Sequence, residues 1–184
     1  MKKLYTLFTM LALSKVLLAQ SPADLQFVPQ GNICAGLSYG YSSWDHYWEG
    51  DTLRTNDNVG NVTRQQITAG FNIGILDRLN LIVMLPYIFT NTNSGTLNGQ
   101  SGISDISLNL KGKFAELTLG KGKIFIAGNL GFSTPVSNYL VDYGPVNIGN
   151  GTTNLSYRQM FEYKFDKGLF INAKANYTYR SNVP

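Results

Sequence analysis

Apolar and polar residues alternate along most of the chain, in seven blocks. In "LFINAKANYTYR" (169–180), Leu169, Ile171, Ala173, Ala175, Tyr177 and Tyr179 share one parity. Asn172, Lys174, Asn176, Thr178 and Arg180 share the other, with Phe170 the exception. The same period of two runs through residues 33–41, 65–75, 79–89, 105–114, 155–165 and, less cleanly, 124–133. Successive side chains of a strand point to opposite faces, so each block predicts a β-strand with one apolar and one polar face. Such blocks match the roughly 9–11 residues of a tilted strand that crosses a bilayer better than the roughly 5–6 of an ordinary soluble strand. In a soluble sandwich the apolar face would look into a dry core. In a membrane barrel it would look out at lipid.

The connections favour the second arrangement. Residues 42–64, 90–104 and 134–154 are long and polar, whereas "LDR" around Asp77 and "DKG" (166–168) are tight, and "AELTLGKGK" (115–123) is intermediate. Short turns on one side and long loops on the other are the habit of outer-membrane barrels. Tyr39, Tyr41, Tyr87, Phe89, Phe114, Phe132, Tyr163, Phe165, Tyr177 and Tyr179 gather toward block ends, where amphipathic rings would meet lipid headgroups. The fold expected is therefore all-β, an antiparallel up-and-down transmembrane β-barrel. Seven strands is an odd number, bacterial single-chain barrels have an even one, and the last block is followed only by "SNVP". The expectation is a C-terminally truncated larger barrel.

Composition agrees. Only 14% of residues are charged, aromatics reach 12%, and glycine is abundant at 19. The N-terminus reads as an export signal, with Lys2 and Lys3, the apolar "LYTLFTMLAL" and a cut after Ala19, although Lys15 and Leu17 fit it imperfectly. The expected organisation is a signal over 1–19, a periplasmic segment over 20–32 and the partial barrel over 33–184. That order places the protein in the outer membrane of a Gram-negative bacterium. Of the 15 basic residues, Lys2, Lys3 and Lys15 leave with the signal, so 12 remain against 11 acidic ones. Nothing in that balance invites nucleic acid. The single cysteine, Cys34, cannot close an internal disulfide.

Two stretches go beyond periodicity. "GILDRLNLIVMLPYIF" (74–89) joins a short Asp-Arg turn to a strand with Leu-Pro-Tyr near its end, and "GISDISLNLKGKF" (102–114) opens a basic, alternating strand with Gly-x-x-Asp. With "GNLGFSTP" (128–135), this order resembles the bacterial outer-membrane barrels of the phenol-degradation meta-pathway transporter family, over roughly residues 65–180. The resemblance implies an outer-membrane location and a role in moving small aromatic or apolar solutes. It supplies no catalytic residue.

The chemistry-bearing residues fit that reading. His46, in "WDHYWEG", is the only histidine; a structural metal site normally needs four ligands, and a hydrolase needs a nucleophile beside a base. "GLSYG" (36–40) runs through an alternating strand rather than an elbow, and "GKGK" (120–123) lacks phosphate-loop spacing. No catalytic residue, metal site or cofactor is expected, and the chain is not expected to be an enzyme. The polar parity carries Arg64, Lys111, Lys113, Arg158, Lys164, Lys174 and Arg180 against Asp105 and Glu162, seven basic to two acidic. As lumen-lining charges these would favour anionic solutes; as paired charges, Glu162 with Lys174 for example, they would simply fill the interior. In 79–89 the inward positions Ile82, Met84, Pro86 and Ile88 are apolar. They form either a lumen patch for a hydrophobic solute or the seat of a plug or loop, and Pro86 suggests a bulge. The partners expected are membrane lipid and a small solute. The other readings are a closed-lumen barrel acting through loops 42–64 and 134–154, and a secreted or periplasmic soluble β-protein.

Overall fold

The computed structural model describes residues 21–183. The expected signal (1–19) lies outside them. Seven long strands form one sheet: β1 (Ile33–Trp44), β4 (Val62–Leu76), β5 (Leu79–Thr92), β7 (Asp105–Leu119), β8 (Gly122–Pro135), β9 (Asn154–Phe165) and β10 (Phe170–Arg180). Three short strands lie in the loops, β2 (His46–Glu49), β3 (Thr52–Thr55) and β6 (Ser101–Ile103). Each long strand pairs antiparallel with the next, in the order β1-β4-β5-β7-β8-β9-β10. Among the described residues β1 and β10 each have a single neighbour, and no helix occurs.

All seven alternating blocks are strands, most of them longer than the periodicity indicated. The connection 115–123, expected to be intermediate, is a two-residue turn, because β7 continues to Leu119. The register shift between Lys113 and Ala115 explains the difference. One extra residue breaks the alternation at Phe114; beyond it Ala115, Leu117 and Leu119 resume the apolar parity. The Phe114 ring covers Gly128 on the facing strand, where an added Cβ would come within 2.6 Å of it. Three tight turns thus lie at one end of the sheet, and the long connections at the other. The first long loop is not irregular throughout, since β2 and β3 pair within it.

A bulge faces Pro86, as the proline suggested: between the pairs Met84–Ser107 and Tyr87–Ile103, two residues of β5 oppose three of the stretch that joins β6 to β7. β5 pairs with β7 from Leu79 to Met84 and with β6 from Tyr87 to Phe89. The Pro86 carbonyl accepts from Ser104 N at 2.9 Å, so the donor that proline lacks would face that same side, where the ladder is interrupted. The pairing of Pro86 with Thr68 on the other side is regular.

The two faces are covered in the reverse of the usual order. On the polar face Thr68, Asn72, Asn80, Asn109, Lys111 and Asn129 are buried. On the apolar face Ile67, Phe71, Tyr87, Phe89, Leu110, Leu130, Phe132 and Phe161 are exposed. Aromatic pairs stand on this bare face near both ends, Tyr87 with Phe89 (ring centroids 4.8 Å apart) and Tyr163 with Phe165 (4.6 Å). A bare apolar area of this extent is unfavourable in water.

Candidate functional site

The polar face is covered by two pieces of the chain. At the end with tight turns, residues 21–32 lie on it. Gly31 N donates to Gly74 O and Gly74 N to Asn32 O, both at 2.9 Å, and Gln30 N donates to the Asp77 carboxylate at 2.9 Å. Asn80 is fully buried. With its amide turned to satisfy both atoms, Oδ1 accepts from Val28 N (2.7 Å) and Nδ2 donates to Val28 O (3.2 Å). Lys111 is fully buried too. Its ammonium donates to Ser21 O (3.0 Å), Asp24 Oδ1 (2.8 Å) and Gln26 O (2.6 Å), with the Phe27 ring centroid 5.0 Å away.

At the end with long loops, residues 136–153 fold back over the face. Thr90 Oγ1 donates to Val146 O (2.6 Å), and Ser104 Oγ to Ile148 O (2.5 Å). The Tyr139 hydroxyl donates to Asp105, whose other oxygen accepts from Asn150 N at 3.1 Å. Burial, and then the Asp105 hydrogen bond, push the Tyr139 phenol up to about 12. Val146 also packs with Val59 and Val62, joined by Trp44, Leu97 and Tyr143, so the loops share a small apolar core.

The sequence-derived interior charges divide between these surroundings. Lys111 and Lys113 belong to the segment end; Lys113 pairs with Glu116 at 3.3 Å and stands 5.6 Å from the Phe27 ring centroid. Asp105 anchors the loop. Arg64 lines a cavity of about 270 Å³ with Ser42, Gln66 and Thr68. Glu162, Lys164 and Lys174 line a second, of about 440 Å³, whose walls include Asp24, Leu25, Gln26, Phe125 and Phe170. Phe170, the exception to the opening alternation, shares the polar parity and lines this cavity with Lys174. Glu162 faces Asn172 and Lys174 faces Met160 in the ladder; no ion pair joins Glu162 to Lys174 among the described residues. Arg158 is half-buried in β9, and Arg180 is exposed, donating to Asn154 Oδ1 at 3.1 Å.

Of the apolar inward residues, Ile82 and Ile88 are buried and Met84 is half-buried. Ile88 pairs with Gly102, and a Cβ on Gly102 would lie 3.2 Å from Ile148 Cδ1. At Ile88 the patch therefore lies under the loop. His46, at the loop end, donates from Nδ1 to Asp45 at 2.6 Å, and that bond holds the Asp45 carboxyl below its ordinary range. Among the described residues no three His, Cys, Asp or Glu side chains converge as a metal site would require.

The meander and its polar, covered face meet one known family. The profile of the family described as "Putative MetA-pathway of phenol degradation" matches residues 35–183. The chain belongs to this family. Neither a curated protein nor a solved structure matches it. The family match begins at Ala35, so residues 21–32, which supply every acceptor of Lys111 named above, precede it. Reading the sequence did not find that contact. The one available signal was the side-chain-free Gly74 on the inward parity, where an added Cβ would sit 2.1 Å from Pro29 O.

Proposed function

We propose that the chain is a transmembrane β-barrel of the outer membrane of a Gram-negative bacterium, passing small solutes along its polar face. The observation that carries this reading is the burial pattern: buried asparagines and a lysine on one face, bare aliphatic and aromatic side chains on the other. Lipid would cover the bare face, and the sheet would close so that no strand edge meets hydrocarbon. The remaining basic groups on the polar face, Arg158, Lys164 and Lys174 among them, give it a mild preference for anions. On this reading the chain is not an enzyme, uses no cofactor and meets lipid and solute rather than nucleic acid. A second reading, a closed barrel acting through its outer loops, is favoured by the cover over both ends of the polar face. Liposome swelling by the full-length protein separates the two. Faster swelling in sugars and small aromatic acids than in protein-free vesicles is expected. No swelling, from protein whose gel migration is heat-modifiable as a folded barrel's should be, would refute passage and leave the closed barrel.

A further inference from the structure

We propose that residues 21–32 are a releasable plug and that Lys111 is its latch. The proposal rests on reading the polar face as a solute path. An ammonium group has three N–H donors, and those of Lys111 all go to the segment: Ser21 O, Asp24 Oδ1 and Gln26 O. The acidic residues of β7 itself are engaged elsewhere, Glu116 with Lys113 and Lys123 at 3.3 and 3.0 Å, and Asp105 with Tyr139 and Asn150. A lysine that merely filled the interior would be satisfied within the sheet. A fully buried cation is tolerable only while its partners stay in place, so the charge ties the sheet to the segment.

The seat is shaped for the same backbone. Gly74 lies on the inward parity, and any side chain there would strike Pro29 O at 2.1 Å and Val28 O at 2.7 Å. Asn80 reads the Val28 amide from beneath. These holds come from β4, β5 and β7. Toward β9 and β10 the segment borders the 440 Å³ cavity between Asp24–Gln26 and Glu162, Lys164 and Lys174. Hydrogen bonds on one flank and open space on the other allow the segment to swing while every strand stays paired. Among the described residues Asp24 is the only charged partner of Lys111, so losing that carboxylate strands the cation and releases the plug.

The test uses full-length protein in phosphatidylcholine vesicles. V28C in a C34S background is exposed to a membrane-impermeant maleimide; Val28 is buried in the seated segment. D24A, K111M and G74V are each added. D24A alters only the segment, so it reads the latch even where K111M disturbs folding. Labelling should quicken at least about tenfold in each variant, and arabinose flux should rise with it. Unchanged labelling in D24A protein that migrates as folded would overturn the latch. Faster labelling with flux held at the wild-type conducting level would overturn the plug. Faster labelling with flux at the protein-free level in every chain would leave the latch standing and remove the transport reading beneath it.

Discussion

Replacing Leu130 by arginine tests which solvent the bare face meets. Leu130 and Leu119 both project from that face, with 52% and 57% of their surface exposed. In water the two sites are equivalent, and arginine at either should change stability by less than about 0.5 kcal/mol. In a bilayer they differ in depth. β8 is 14 residues long. At ~3.3 Å per residue and a tilt of ~45°, each residue climbs ~2.3 Å along the membrane normal. Leu130 then lies about 4 Å from the level of the strand's midpoint, and Leu119, paired with Gly122 at the turn, about 15 Å away. The apolar band of such barrels extends roughly 12 Å either side of its centre. L130R should therefore lose about 2–4 kcal/mol and L119R about 0–1. Urea unfolding in lipid vesicles, followed through Trp44 and Trp48 fluorescence, measures both. A difference below about 0.5 kcal/mol, or the reverse order, would refute the lipid-facing assignment.

The long loop 136–153 offers further tests. Ile148, within the loop 136–153, is buried against the polar face, so I148A should lose about 2–5 kcal/mol of loop docking, seen as faster hydrogen exchange at Val146 and Gly151 with the strand amides unchanged. Tyr139 ionises late, at about 12 against an ordinary 10, because burial and then Asp105 disfavour the phenolate. Its folded-state value is raised, so the docked loop is fully supported below pH 10 and loses that support as pH climbs toward 12. Absorbance titration near 295 nm should show a late component that Y139F removes; an unchanged titration would refute the Tyr139–Asp105 clamp.

Strand number and direction were legible because period two survives in every long strand. Where the period failed, the reason is local. The extra residue beside Phe114 displaces the parity and hides the last turn of sequence before Gly120, so β7 looked shorter than it is. β2 and β3 are four residues each, too short to show a period. The interior charges were legible as a face but not as individual roles. Parity places Lys111 and Asp105 on the same side, yet the acceptors of one precede β1 and the partners of the other follow β8. Neither residues 21–32 nor residues 136–153 carry a periodicity that would reveal where they dock. Pro86 was a visible irregularity that pointed to a bulge, and the registers of β6 and β7 place the extra residue on the strand beside it.

The Lys111 contacts also fix an order of events. They join residues 85 to 90 positions apart, whereas the long strands pair with their immediate successors in the meander. Closing a loop of n residues costs about (3/2)RT ln n plus a constant, so hairpins close at less entropic loss than a contact of that span. The site that receives residues 21–32 does not exist until β4, β5 and β7 are side by side. The segment lies ahead of β1 in the chain and is seated only after the fourth long strand, so its docking reports on the assembly of those strands rather than directing it. A refolding experiment should see strand pairing first and protection at Val28 afterwards.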